Sequence, residues 1–185
     1  MRIISGSAGR RRIDVPKSVT RPSTDRLREA LFSMLANRIS GARVLDLFSG
    51  SGALGLEALS RGARSAVMVD DSREACRVIG KNVQSLGLSS ARVVQADVSR
   101  FLEHDQASYD LVFADPPYYK QPGDRDFVQE LLEHGRIAEL LADEAMLVVE
   151  DPPGNSRDDV AGWKLIDQRS YGGCGILFYQ RDEIT

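Results

Sequence analysis

A glycine-rich turn and the acidic residue that follows it are the first residues whose types and spacing indicate chemistry. The stretch LDLFSGSGALG (45–55) contains Gly50, Gly52 and Gly55 in the spacing G-x-G-x-x-G, and Asp70 lies about twenty positions further on. Glycines at this spacing let the backbone approach an adenosine-bearing cofactor, and the acidic residue accepts hydrogen bonds from its ribose. The glycines alone fit both NAD and S-adenosylmethionine.

Asp46 favours S-adenosylmethionine over NAD. Its carboxylate precedes the glycines and would repel a pyrophosphate, whereas a sulfonium and an ammonium group are attracted to it. A dehydrogenase also needs a proton donor near the hydride carbon, and His104 and His134 are both expected on helix surfaces. The sequence therefore predicts a cofactor of the adenosylmethionine type.

The motif Asp115-Pro116-Pro117-Tyr118 follows a predicted strand and fits the methylation of a base amino group. Such an amino group is a weak nucleophile, because its lone pair is delocalised into the ring. The Asp115 carboxylate and the Pro116 carbonyl are expected to accept its two N–H groups, while the two prolines stiffen the loop. Tyr118 is expected to stack on the base, a contact worth about 1–3 kcal/mol. EDPPG (150–154) lacks the aromatic residue and is assigned no chemistry.

These residues are predicted to lie on an α/β fold. Short apolar strands alternate with helices, which indicates a largely parallel sheet covered on both faces, with the ligand at the carboxyl ends of its strands. The last two strands are joined only by GGC and must pair antiparallel. Strands are predicted at 43–48, 65–70, 91–97, 109–117, 145–151, 163–171 and 175–181, and helices at 53–61, 73–86, 99–104 and 127–141.

The segment before this alternation is predicted to be a β-hairpin followed by a helix. Residues 2–15 contain two short apolar runs around the turn SAGR. Ser23 or Thr24 is expected to cap the helix that follows. Its apolar residues recur at steps of four and form one face: Leu27, Leu31, Leu35 and Ile39.

Composition predicts a single-domain cytoplasmic protein with a basic arm. The 185 residues lack an apolar run long enough for a membrane helix and a signal-peptide core, and Cys76 and Cys174 form no metal-binding or disulfide pattern. Residues 1–28 carry a net charge of +6, so the rest of the chain carries −9. A basic arm on an acidic body suggests a polyanionic partner, whose phosphates Arg10, Arg11 and Arg12 are expected to bind.

Four stretches together resemble the RsmD family of bacterial enzymes, which methylate the N2 amino group of a guanine in 16S ribosomal RNA. They are RPSTDRLREALF (21–32), VLDLFSGSGALGLEALSRGA (44–63), DLVFADPPYY (110–119) and LFYQR (177–181). The resemblance covers nearly the whole chain. It implies a class I S-adenosylmethionine-dependent methyltransferase fold, Rossmann-like, with seven strands in the order 3-2-1-4-5-7-6 and the seventh antiparallel. A basic hairpin extension (1–20) would precede the methyltransferase domain (21–185).

The resemblance also implies roles for individual residues. Asp115, Pro116, Pro117 and Tyr118 match the clamp on the target base. Either Asp70 or its neighbour Asp71 matches the ribose ligand, and Asp70 is favoured because it directly ends the strand. The implied cofactor-binding set is Thr24, Arg26, Asp46, Phe48, Gly50, Ser51, Gly52, Asp70, Asp71, Asp97 and Val98, and the implied RNA-binding set is Arg10, Arg11, Arg12, Arg21 and Arg28.

The expected partner is 16S rRNA within a small-subunit assembly particle, with transient contacts to ribosomal proteins and a monomeric enzyme. Guanine as the target rests on the resemblance, because an adenine-N6 methyltransferase would use the same Asp-Pro-Pro-Tyr clamp. A non-catalytic RNA-binding assembly factor with a vestigial cofactor site is the third hypothesis, and the intact glycine loop argues against it.

Overall fold

Seven strands form one sheet in the computed structural model, which describes residues 1–17, 24–118, 123–153, 155, 157 and 160–182. The strands are β1 (Arg43–Leu47), β2 (Ser65–Asp70), β3 (Ala91–Gln95), β4 (Tyr109–Ala114), β5 (Leu141–Asp151), β6 (Trp163–Tyr171) and β7 (Cys174–Arg181). Their order, β3-β2-β1-β4-β5-β7-β6, is the one that the resemblance implied. The first five strands pair parallel, and β7 runs antiparallel to both β5 and β6, as predicted.

Helices join the strands and begin at recognisable caps. They are α1 (Asp25–Met34), α2 (Ala36–Ile39), α3 (Ala53–Ser60), α4 (Arg73–Leu86), α5 (Val98–His104), α6 (Phe127–Glu133) and α7 (Gly135–Glu139). Thr24 caps α1 by accepting from the Leu27 N–H, and Ser72 caps α4 in the same way. Gly87 ends α4 in the left-handed conformation, as glycine does after many helices. No helix among the described residues is long and apolar enough to cross a membrane.

The helices cover both faces of the sheet. On one face, α5, α6 and α7 pack on alternate residues of the central strands, such as Leu45, Leu47 and Val112. On the other face, α1, α2 and α3 pack on residues such as Val44 and Phe113. Asp46 has the same strand parity as Val44, so its side chain belongs to the face that α3 covers. Cys76 and Cys174 are free thiols, half-buried and buried respectively.

Two predicted helices are interrupted in the structure. The helix predicted through Ile39 breaks at Leu35, where α1 ends and α2 begins. The helix predicted over 127–141 breaks at His134, whose backbone is extended, and the strand that follows already starts at Leu141. β4 ends at Ala114 rather than at 117, because prolines cannot donate to a strand ladder.

The N-terminal segment (residues 1–17) packs on α3 and α4 instead of extending away from the sheet. Ile3, Ala8 and Ile13 are buried in one cluster with residues of both helices. The predicted hairpin forms with one antiparallel bridge, between Arg2 and Arg12, and with backbone hydrogen bonds that join Ile3 to Arg10 and Arg11, and Ile13 to Met1. Its ladder is interrupted because the N–H groups of residues 4 and 5 donate to the buried carboxylate of Glu57 in α3, at 2.7 and 3.0 Å.

Candidate active site

The glycine turn between β1 and α3 has a backbone conformation that requires glycine at two of its positions. Gly52 caps α3 at φ +74°, in the left-handed region where side chains are disfavoured. At Gly55 a Cβ would lie 2.8 Å from Cγ of Met68 and 3.1 Å from Oδ2 of Asp46, so only glycine lets α3 approach the sheet this closely. Phe48, at the start of the turn, has a positive φ of 57° and packs edge to face on Phe127. A strained non-glycine residue of this kind is typical of ligand-binding turns.

Asp46 is buried beneath this turn. Its side chain is almost fully inaccessible, and Oδ2 accepts from the Gly55 N–H at 2.9 Å. Burial raises the pKa of Asp46 to about 8, the Gly55 hydrogen bond lowers it, and the nearby charge of Asp70 raises it again. The carboxyl group is therefore mostly protonated at neutral pH and would ionise when a cation binds beside it.

Asp70 connects the end of β2 to the glycine turn. One carboxylate oxygen accepts from the Gly50 N–H at 2.8 Å and the other from the Ser72 N–H at 2.9 Å. Each oxygen keeps a further lone pair, so the carboxylate can still accept from two ribose hydroxyls. Asp71 is exposed. This geometry supports Asp70 as the ribose ligand, which stays a prediction.

Asp97 at the third strand end and Ser51 belong to the predicted cofactor set, whose members Thr24 and Arg26 lie instead at the start of α1. Asp97 is exposed and caps α5 by accepting from the Arg100 N–H, and the adjacent Val98 is buried. Ser51 is buried in the glycine turn, with its hydroxyl 3.6 Å from the Met1 sulfur. The carboxyl ends of β1, β2 and β3 thus bring the predicted residues to one edge of the sheet.

This arrangement fits S-adenosylmethionine. A buried carboxyl with a raised pKa has the chemistry to compensate a positively charged sulfur and ammonium group, and Asp46 provides it. The carboxylate of Asp70 faces the glycine loop with acceptor capacity left for a diol. A pyrophosphate, by contrast, would face both carboxyl groups.

The Asp-Pro-Pro-Tyr motif lies beside this edge, at the end of β4. The Asp115 N–H donates to the Leu47 carbonyl at 3.4 Å, which joins the motif to the strand that leads into the glycine turn. Asp115 also lines a narrow cavity between α1 and the sheet. Pro116 is buried and Pro117 exposed, so the chain turns outward after Asp115.

Glu150 is a residue of this site that the sequence analysis missed. It lies near the end of β5, lines the same cavity as Asp115, and accepts from the Tyr118 hydroxyl at 2.7 Å. Burial and this hydrogen bond raise the pKa of Tyr118, which keeps its hydroxyl protonated as a donor. EDPPG (150–154) was assigned no chemistry, and the hydrogen bond from Tyr118 places the Glu150 carboxylate beside the predicted clamp. The sequence did offer one signal for Glu150: β4 and β5 are parallel neighbours, so the residues at their carboxyl ends lie close together.

A second unpredicted residue, Arg157, fixes the segments that flank the motif. It is buried, and its guanidinium donates to both Asp151 at the end of β5 and Asp126, the cap of α6. Asp151 is itself buried, and the Tyr179 hydroxyl donates to the Arg157 carbonyl. Through Arg157 the network joins β5 to the start of α6.

Arg28 corrects a prediction, because it is not available to RNA. It is fully buried, donates to the carboxylate of Asp25 at 2.7 Å and to the Arg2 carbonyl at 2.9 Å, and lies 3.9 Å from the carboxylate of Glu57. Its position fits this role, since Arg28 lies three residues before Leu31 on the buried face of α1. The charge joins α1 to the N-terminal segment and α3.

The other predicted RNA-binding residues divide into two groups. Arg11 donates to the carbonyls of Ser85 and Leu86 and so caps the carboxyl end of α4, a role that the sequence analysis did not foresee. Arg10 and Arg12 are exposed, as is Arg26. Arg21 lies outside the described residues.

Comparison with known proteins gives matches along the whole chain. The family model described as "Conserved hypothetical protein 95" matches residues 1–180. Ribosomal RNA small subunit methyltransferase D of Escherichia coli K12 is 39% identical over 184 residues, which cover 98% of this chain and 90% of that protein. The protein of the same name from Haemophilus influenzae is 31% identical, covering 97% of this chain and 93% of that protein.

Solved structures also align with nearly the whole chain. A methyltransferase structure from Escherichia coli aligns with a TM-score of 0.83 at 39% identity and covers 98% of both chains. A structure from Thermus thermophilus aligns with a TM-score of 0.80 at 34% identity, covering 96% of this chain and 98% of that one. The similarity therefore includes the N-terminal segment and the antiparallel end of the sheet.

Proposed function

Since the chain belongs to the RsmD family of S-adenosylmethionine-dependent methyltransferases, we propose that it methylates the exocyclic N2 amino group of one guanine in 16S ribosomal RNA. The name of its relatives, ribosomal RNA small subunit methyltransferase D, supports ribosomal RNA as the substrate. The observation that carries the proposal is the position of Asp115, whose backbone is joined to Leu47 at the base of the cofactor turn. A base amino group held by Asp115 is thereby brought to the cofactor edge.

Asp46, the glycine turn and Asp70 would hold the cofactor. The bound sulfonium supplies an activated methyl group, so the protein needs to provide position and electrostatics rather than a strong base. Ionised Asp46 would compensate the positive charge from beneath the turn. The Gly50–Asp70 hydrogen bond keeps the turn and the ribose ligand in fixed relation.

The residues of the Asp-Pro-Pro-Tyr motif would hold the base. The Asp115 carboxylate and the Pro116 carbonyl accept the two N–H groups of the target amine, which turns its lone pair toward the methyl donor. Tyr118 offers its ring for stacking, and its hydroxyl bond to Glu150 fixes the ring against β5. The methylated amine first carries an extra proton and is then strongly acidic. Release of this proton to solvent completes the reaction.

The partner that we propose is the small-subunit assembly particle, in which the target nucleotide is accessible, with a monomeric enzyme making transient contacts to ribosomal proteins. A base in an exposed RNA loop can enter a site without opening a duplex. Arg10 and Arg12, which are exposed, are the described residues of the predicted RNA-binding set that remain suited to phosphates.

Mass spectrometry of 16S RNA from a strain that lacks the protein tests this function. Loss of one N2-methylguanosine, restored by the wild-type gene and not by Asp115→Ala, is the expected result. Loss of a methyl group from adenine would instead identify an adenine-N6 enzyme. Unchanged methylation combined with delayed assembly of the small subunit would identify a non-catalytic factor.

A further inference from the structure

The outer face of α4 carries a row of cations that none of the motifs accounts for. Arg73, Arg77 and Lys81 are spaced four residues apart and all three are exposed, while the opposite face of the helix is buried on the sheet. With a rise of about 1.5 Å per residue, their attachment points follow one another at about 6 Å along the helix. The spacing places them on one side of α4.

No acidic side chain neutralises these cations in the part of the chain that the structure describes. Within the described residues, none of the three takes part in an ion pair or a side-chain hydrogen bond. Glu74 is the acidic residue that α4 itself contains, and Asp71 precedes the helix. A chain with a net charge of −3 thus presents a helix of net charge +2. Charges of one sign, left exposed and unpaired along a line, favour an extended polyanion.

The N-terminal segment supplies two further cations near the carboxyl end of α4. The Arg11 guanidinium is bound to the carbonyls at the end of α4, and Asn82 of α4 exchanges two hydrogen bonds with the backbone of Asp14, each 2.9 Å long. These contacts fix the segment beside the second half of the helix. The exposed Arg10 and Arg12 flank Arg11 in the chain and therefore lie near this end of α4.

We propose that Arg73, Arg77 and Lys81 bind the phosphate backbone of the RNA substrate, together with Arg10 and Arg12. The proposal rests on the proposed function for the identity of the partner. α4 begins at Arg73, shortly after Asp70 and Asp71 at the cofactor edge, so the row leads from the predicted ribose ligand along the side of the protein. It would hold RNA that flanks the target nucleotide.

The composition of this face favours RNA over a lipid surface. A helix that lies on a membrane combines its cations with large apolar side chains. The large hydrophobic residues that are exposed within the described chain are Met34 and Ile166, and neither belongs to α4. The row therefore provides charge without an apolar face.

A charge-removal variant of the full-length chain tests the surface. Arg73→Gln, Arg77→Gln and Lys81→Gln are combined, and the affinity for 16S rRNA is measured between low and physiological salt. The slope of log K against log salt should fall by about 2, since each phosphate contact contributes about 0.7 on single strands and 0.9 on duplex. The thermal melting temperature and the affinity for S-adenosylmethionine should stay at wild-type values, because the three side chains contact neither the core nor the glycine turn.

The matched control removes three cations at the opposite edge of the sheet. Lys164→Gln, Arg169→Gln and Arg181→Gln, in β6 and β7, change the net charge by the same amount and should leave the salt slope unchanged. An unchanged slope in the α4 variant, or an equal decrease in both variants, overturns the inference. If the α4 variant binds 16S rRNA as the wild type does, and the wild-type enzyme methylates guanine, then α4 is not the RNA-binding surface and the proposed function stands. A wild-type protein that neither binds nor methylates 16S rRNA overturns both.

Discussion

The buried carboxyl group of Asp46 predicts that cofactor binding depends steeply on pH. Because burial raises its pKa to about 8, the group is mostly neutral at pH 7 in the free protein. A cationic cofactor is favoured only by the ionised form, so binding should release a proton from Asp46. The affinity for S-adenosylmethionine should therefore rise as the pH approaches 8 and level off above it.

The pKa sets the size of this effect. About 1% of Asp46 is ionised at pH 6, about 9% at pH 7 and about 90% at pH 9, and the apparent Kd scales inversely with this fraction. The Kd should thus fall by roughly 90-fold between pH 6 and pH 9. Calorimetry at pH 7 in buffers of different ionisation enthalpy should detect about 0.9 proton released for each cofactor bound.

The same pKa makes a linked prediction for stability. The folded protein holds the proton at pH values where an unfolded Asp, with a pKa of 3.8, has lost it. The free energy of unfolding of the unliganded protein should therefore fall as the pH rises from about 4 to about 8 and then become constant. Because of this shift, the free energy of unfolding should be about 4 kcal/mol lower at pH 7 than at low pH, where Asp46 is protonated in both the folded and the unfolded state.

Asp46→Asn is the decisive variant, because its amide oxygen still accepts from the Gly55 N–H and carries no charge at any pH. It should bind the cofactor weakly and without the pH dependence, and it should abolish the fall in stability between pH 4 and pH 8. A wild-type Kd that is constant from pH 6 to pH 9, or a pH dependence that the variant retains, would refute this role of Asp46.

Three further predictions concern the other site residues. Asp115→Ala should lower kcat by about 100-fold or more while calorimetry shows the cofactor Kd within about twofold of wild type, and full activity would refute the clamp. Glu150→Leu and Tyr118→Phe should each lower kcat/KM about tenfold, with the double variant no worse than either and Glu150→Gln close to wild type; additive losses would show that Glu150 does not act through the Tyr118 hydroxyl. Asp70→Ala should weaken cofactor binding by about 10-fold to 100-fold and Asp71→Ala should not, and the opposite result would reassign the ribose ligand.

The sequence predicted the sheet well, because each strand is a short apolar run bounded by turn residues. The antiparallel pairing of β6 and β7 followed from a connection too short for any parallel return. The helix breaks at Leu35 and His134 were not predicted, since apolar residues continue on both sides of each break and periodicity does not reveal a local change of backbone direction. Contacts between distant segments decide such breaks.

The residues of the candidate site could be predicted where each lies at the end of a strand that the sequence itself reveals. Asp70 ends β2, Asp115 directly follows β4, and Asp46 precedes the last residue of β1, so their common edge could be inferred from the parallel sheet. Glu150 could not be separated from the solvated loop after it, because its role depends on a hydrogen bond to Tyr118, 32 positions away. Side-chain pairs between neighbouring strand ends have no signature in a single sequence.

The fate of the N-terminal charges shows why composition is a poor guide to a binding surface. Arg2 is paired with Asp25, Arg28 is buried, and Arg11 is bound to the end of α4, so much of the basic excess of residues 1–28 stabilises the fold. Arg10 and Arg12, which form no ion pair within the described residues, are too few for an extended polyanion by themselves. The contacts of Arg11 and Asn82 hold this segment at the carboxyl end of α4, so the interactions that engage one arginine also bring Arg10 and Arg12 near the cations of that helix.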